Sequence, residues 1–323
     1  MARALLALLL ILSVLALLTA WRGSARTAHV EAEFPPEGTF VEVGGRRVHY
    51  VQRGQGPDLV LIHGASGNSR DMTYRFMDRL TDRYRVTAFD RPGLGYTDRA
   101  APWLASPFAA RGETPDEQAQ LLRGAARALG IERPIVLGHS FGGSVAMAWA
   151  LGDHAGTAAV VDVSGATMPW NTPLTWHYRI VEGRLRGAVV PWLVGAWTPQ
   201  RLVDRAVAGT FRPDDVPDAY AEQLGARLAL RAASFRANAK QVNVLRFAVE
   251  AMAPLYASLP MPVEIVHGDA DPIVGLDVHS RPLAALIPGA HLTVLRGVGH
   301  MPHHTDPGAV IAAIDRARSR AGL

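Results

Sequence analysis

Six short aliphatic runs constrain this chain more than any other feature: Asp58 to Ile62, Arg85 to Phe89, Pro134 to Leu137, Ala158 to Val163, Val263 to Val266 and Leu292 to Leu295. Each is apolar along nearly its whole length, and most are separated by stretches of helical spacing. A strand that is polar on neither side must be covered on both, which is the condition of a mostly parallel sheet between helical layers. Ahead of them, Thr39 to Val43 and Arg46 to Gln52 alternate and are split by Gly44-Gly45, so the sheet is expected to begin with a β-hairpin.

Thr114-Pro115-Asp116-Glu117 carries the marks of a helix start: a capping hydroxyl, proline in the first turn and acids against the dipole. Gly130 is placed to close that helix. From about Gly165 to Leu259 strand signals vanish, and the chain is rich in Arg, Ala and Leu, with Trp170, Trp176, Trp192 and Trp197 among them. This reads as a helical insertion. Residues 29–165 and 260–323 are therefore expected to form the core, 166–259 a helical cap, and Pro307 to Arg318 the closing helix. Some of the cap tryptophans are candidates to line an apolar pocket, and the Ala188 to Trp197 stretch to face a membrane.

Residues 1–28 are expected to stand outside the globular fold. Ala4 to Trp21 is an uncharged run of 18 residues, preceded by Arg3 and followed by Arg22 and Arg26. It reaches the length of a membrane span, whereas a secretory signal has the same charged start with a shorter apolar stretch. Gly23 and Ala25 make a poor cleavage site. An uncleaved anchor is the first expectation, an exported protein with a cleaved signal the second. Arginines at both ends leave orientation open.

Gly138-His139-Ser140-Phe141-Gly142 sits between one of the buried runs and an Ala-rich helical stretch, Ser144 to Leu151. A G-x-S-x-G pattern in that context is a sharp strand-to-helix turn that lifts a hydroxyl clear of the sheet. Here the sequence resembles the α/β-hydrolase fold superfamily, in its serine-nucleophile form with a helical cap, from about residue 38 onward. The resemblance implies an enzyme. His63-Gly64-Ala65 matches the loop that donates an oxyanion amide, which implies donors at the N–H groups of Ala65 and Phe141. Asp90-Arg91-Pro92-Gly93-Leu94-Gly95 matches a structural turn and is assigned no catalytic role. His267-Gly268-Asp269-Ala270-Asp271 matches the acid loop, with Asp271 as the acid, ahead of Asp269 and of Asp162 at the end of a neighbouring strand. Gly297-Val298-Gly299-His300 matches the histidine loop. Ser140, Asp271 and His300 then follow the order expected for a triad on this fold.

The implied activity is acyl transfer from an ester or related carbonyl compound, the substrate being a small molecule with an apolar acyl or aromatic part. Carbon–carbon bond hydrolases, haloperoxidase-like members and acyltransferases share the same three residues. A ligand-binding receptor on this fold is the reading from another class. Serine at 140 excludes relatives with an aspartate nucleophile. No cofactor is expected, because the glycine pairs lack dinucleotide-binding spacing. No metal site is expected either: His303 and His304 near His300 are broken by Pro302 and lack a carboxylate-bearing motif, and are expected at the rim or facing the cap. His63 and His139 are expected to be structural or pocket-lining. Absence of cysteine removes thiol chemistry and Cys-based metal sites. All but one of the 33 basic residues are Arg, the exception being Lys240, and they are scattered, so nucleic-acid binding is unsupported.

Overall fold

The computed structural model describes residues 1–174 and 176–323, His177 by its backbone only. Eight strands form one sheet in the order β1-β2-β4-β3-β5-β6-β7-β8. They are β1 (Thr39–Val43), β2 (Arg46–Arg53), β3 (Asp58–Ile62), β4 (Arg85–Phe89), β5 (Ile135–His139), β6 (Ala159–Val163), β7 (Val263–Gly268) and β8 (His291–Leu295). The β1–β2 and β2–β4 pairs are antiparallel and all others parallel. The hairpin closes through Gly44 and Gly45, both at positive φ, as a two-residue turn matching the strand twist requires.

Strand alternation assigns the two cores. Val60 and Ile62 of β3 face one cluster and Leu59 and Leu61 the other, all fully buried. The first cluster is covered by α3 (Pro115–Ala128), α4 (Phe141–Gly152) and α10 (Ser280–Leu286), the second by α12 (Pro307–Arg320). Helix α3 begins as the sequence foretells, with Thr114 and Glu117 exchanging hydrogen bonds in a capping box, and Gly130 beyond its end adopts φ +68°. Two short helices, α2 (Ser69–Thr73) and α11 (Pro302–Thr305), lie at the carboxyl ends of the strands.

Between β6 and β7 the described residues form helices and loops but no strand: α5 (Trp176–Arg179), α6 (Arg184–Trp197), α7 (Gln200–Phe211), α8 (Tyr220–Leu224) and α9 (Ala232–Met252). The N-terminal helix α1 (Ala2–Glu33) departs from expectation. It does not leave the fold near residue 28. Thr19, Gly23 and Val30 are buried, and Arg22 and Arg26 donate to the Ala196 carbonyl at 2.9 and 2.7 Å. The reason is complementary chemistry: the last carbonyls of α6 lack helical partners, and guanidinium groups supply both donors and positive charge there. The apolar stretch Ala4–Trp21 itself, with mean hydropathy 2.6, is exposed at every residue except Thr19.

Candidate active site

The sheet changes direction of growth at β3, whose neighbours are β4 and β5. In open α/β sheets, ligands bind beyond the strand carboxyl ends at such a point. Ala65 follows β3 and Ser140 follows β5.

Ser140 has φ +55° and ψ −117°, a strained state for a residue with a side chain. Hydrogen bonds hold it there: its N–H donates to Val163 O at 3.0 Å, and its carbonyl accepts from Gly143 N at 3.0 Å and Ala166 N at 3.1 Å. The turn is tight enough that a Cβ at Gly138 would lie 2.1 Å from Gly142 O, and one at Gly142 only 2.3 Å from Ile62 O. The flanking glycines of the pentapeptide are therefore sterically required.

Asp271 and His300 meet: Nδ1 of His300 lies 2.7 Å from Oδ2 of Asp271. Oδ1 of Asp271 accepts from the N–H groups of Ile273 (2.8 Å) and Val274 (3.0 Å), and His267 Nε2 is 3.2 Å from Oδ2. Burial pushes this carboxyl up, but hydrogen bonds from His267, His300 and Val274 outweigh it and hold the group well below the usual carboxylate range. His300 is tied to the serine turn from the other side. His139 Nε2 donates to the His300 carbonyl at 2.8 Å, and the two rings lie 4.9 Å apart.

The Ala65 loop is equally close. A Cβ on Gly64 would stand 3.1 Å from Ser140 Cβ. His63 Nδ1 lies 2.9 Å from Gly64 O and its Nε2 accepts from Arg91 N at 3.0 Å, with burial lowering His63 to about 4 and so keeping the ring neutral. Arg91, from the turn assigned no catalytic role, is fully buried and donates from Nη2 to Gly64 O at 3.1 Å. Asn238 of α9 grips the next residue, accepting from Ser66 N at 2.8 Å and donating to its Oγ at 2.9 Å. Neither the Arg91 nor the Asn238 contact was legible in the sequence: the turn that holds Arg91 was read as structural only, and Asn238 lies in a helix without a motif.

Asp269 stays apart from His300 and accepts from Gly297 N at 2.6 Å, bracing the histidine loop. Asp162 lies in the core against the backbone of Gly143 and Gly165, neither oxygen making a hydrogen bond of full geometry, and burial raises its carboxyl to about 7 despite His267 and the Gly165 N–H. His303 is not at a rim. It is buried beside His139, ring centroids 4.5 Å apart, and its Nε2 is 3.3 Å from Asp71 Oδ1. His304 packs on Tyr220 of α8, with Nε2 2.8 Å from the same oxygen. Tyr220 donates to it as well, at 2.8 Å. Asp71, His303 and His304 bring ligand-type atoms within 4.8 Å of one another and are the described residues that offer a divalent cation a site. The Asp71 oxygen already makes these hydrogen bonds, so a cation would have to replace them. The sequence spacing hid this group because Asp71 comes from a distant helix.

The sequence profile of the alpha/beta hydrolase family matches residues 59–314. The chain belongs to the α/β hydrolase family. Among relatives of this hydrolase, an uncharacterised protein of Mycobacterium tuberculosis is 27% identical over 288 residues, covering 87% of this chain and 81% of that one. Among solved structures, the esterase RhEst1 from Rhodococcus sp. is similar with TM-score 0.66 at 22% identity, covering 87% of this chain and 98% of that one. A membrane phospholipase A described as a bacterial virulence factor has TM-score 0.62 at 23% identity, covering 98% of this chain and 99% of that one. At these identities the structural likeness bears on the fold.

Proposed function

We propose that this hydrolase cleaves carboxylic esters through Ser140, His300 and Asp271. One observation carries the reading: the His300–Asp271 pair at 2.7 Å is fastened, through the His139 hydrogen bond to the His300 carbonyl, to the strained turn that presents Ser140. In the first half-reaction Ser140 Oγ attacks the acyl carbon while its proton passes to His300 Nε2. Asp271 fixes the tautomer with Nδ1 protonated and stabilises the imidazolium. The carbonyl oxygen gains negative charge and is met by the N–H groups of Ala65 and Phe141, each such donor contributing about 3 kcal/mol to the barrier reduction. The alcohol leaves with the proton from His300. Water, activated by the same imidazole, then releases the acid and restores Ser140.

The helices between β6 and β7 serve as a cap over this centre, and α1 as a membrane anchor. The exposed apolar stretch of α1 supports the second assignment, as does the fold likeness to a phospholipase described as a membrane protein over nearly the whole of both chains.

The test is the intact mass of the protein after exposure to a fluorophosphonate probe. A single adduct on the wild type, absent from Ser140→Ala, is expected. A folded wild-type protein that takes up no probe, or an adduct that persists in the variant, overturns the assignment.

A further inference from the structure

Helix α1 does more than end beside the helices that follow β6; it is fastened to the end of α6. At about 1.5 Å per residue, Ala4 to Trp21 measures about 27 Å, close to the thickness of a bilayer's hydrocarbon core. Trp197 Nε1, at the end of α6, donates to Thr19 Oγ1 at 3.1 Å, and Thr19 lies inside that apolar stretch. The contact continues one turn further. The Arg22 guanidinium stacks over the Trp197 ring at 4.9 Å, and Arg26 donates to Thr198 O at 2.8 Å. A Cβ on Gly23 would stand 3.2 Å from the Trp192 ring. These contacts bridge two segments about 170 residues apart, so the junction of α6 and α7 is held at the level where the apolar segment of α1 meets its flanking arginines.

The surface around that junction has the composition of a membrane interface. Leu193, Trp197 and Leu202 are 45%, 46% and 48% exposed, and Arg201 and Arg205 beside them are exposed as well. Tryptophan settles at the headgroup boundary, leucine reaches below it, and arginine meets the phosphates. Trp21 is likewise exposed at the same level of α1.

We propose that the α6–α7 junction lies in the headgroup region of the bilayer that α1 spans, so that the cap receives amphiphilic esters from the membrane rather than from water. The membrane contact rests on the anchor role proposed for α1 together with the geometry of its junction with α6; the ester part rests on the ester hydrolysis proposed above. Because α1 and α6 are joined by hydrogen bonds as well as apolar contacts, the junction is seated wherever α1 is inserted.

The chain has no cysteine, so a single introduced one takes a nitroxide label without competition. The full-length protein carrying Leu193→Cys or Leu202→Cys is reconstituted in phosphatidylcholine–phosphatidylglycerol vesicles, with Glu132→Cys, just before β5 at the opposite end of the sheet, as reference. Power saturation is expected to give an oxygen-to-nickel-chelate accessibility ratio several-fold higher at both junction sites than at 132. Equal ratios overturn the proposal. The paired experiment uses Leu193→Glu with Leu202→Glu in the same vesicles. A fall of tenfold or more in release of fatty acid from the vesicle phospholipid is expected, with hydrolysis of a soluble short-chain ester unchanged. Equal loss on both substrates, or none on either, overturns membrane loading. A wild-type protein inert toward both esters refutes the ester reading while the label ratios still decide the membrane contact.

Discussion

The Arg91 guanidinium lies 4.1 Å from the centre of the Phe141 ring. With Nη2 on Gly64 O, one buried cation thus braces both segments proposed to carry the oxyanion donors. The Gly64 carbonyl and the Ala65 N–H belong to a single planar peptide, so holding the one aims the other. Burial lowers Arg91 only to about 9, which leaves it charged at neutral pH.

Arg91→Met is therefore expected to lower kcat by roughly 10- to 100-fold with a smaller change in KM, since the donors matter most when charge develops. It also strands Gln118 Oε1 and Gln241 Oε1, now 3.0 and 3.3 Å from Nη1. A loss of about 3 kcal/mol in urea unfolding should accompany the kinetic effect. Unchanged kcat in a folded variant would remove Arg91 from this role.

Asp271→Asn keeps an oxygen for the Ile273 and Val274 amides but takes away the carboxylate that fixes His300. Steady-state kinetics on a soluble ester should show kcat down by roughly 10⁴-fold. A loss under tenfold would mean that another acid orients the histidine.

Buried imidazoles should dominate acid sensitivity. His63, His279 and His303 are each lowered to about 4, chiefly by burial. Their folded values lie below the unfolded value near 6.5, so the unfolded chain takes up protons first as pH falls. Their contribution is full above about pH 6.5 and is lost on descending toward 4, by about 3 kcal/mol per ring. Urea unfolding from pH 7.5 to 5 should show this decline, and a flat profile would contradict it.

Asp162 acts with the opposite sign. Its folded value is raised to about 7, so the native state holds the proton more tightly and loses stability as pH rises from about 4 to 7. Asp162→Asn, which keeps the shape without the charge, should stabilise the protein at pH 8 by up to about 4 kcal/mol and by little at pH 4. Equal effects at the two values would show that the carboxyl is not held protonated.

The strands were legible because a strand buried on both faces leaves an unbroken apolar run, and β3 through β8 lie within a residue or two of where those runs stand. Ser140 was legible because its turn admits only glycine on either side, a demand written over five consecutive residues. Asp271 and His300 likewise sit on loops with local patterns, so their meeting at 2.7 Å follows from parallel strands ending at one edge. Such signals are local in the chain.

What only the tertiary structure decided is long-range pairing without periodicity. Arg91 beneath Gly64 and Phe141, Asn238 on Ser66, and Asp71 against His303 and His304 join residues 27 to 233 positions apart. The same holds for α1, whose composition announces an apolar span but not that Thr19, Arg22 and Arg26 fasten it to α6. Hydrophobic burial leaves its mark on sequence because it acts on whole faces of an element. A polar contact needs one donor and one acceptor in register, and which two meet is set by the packed backbone.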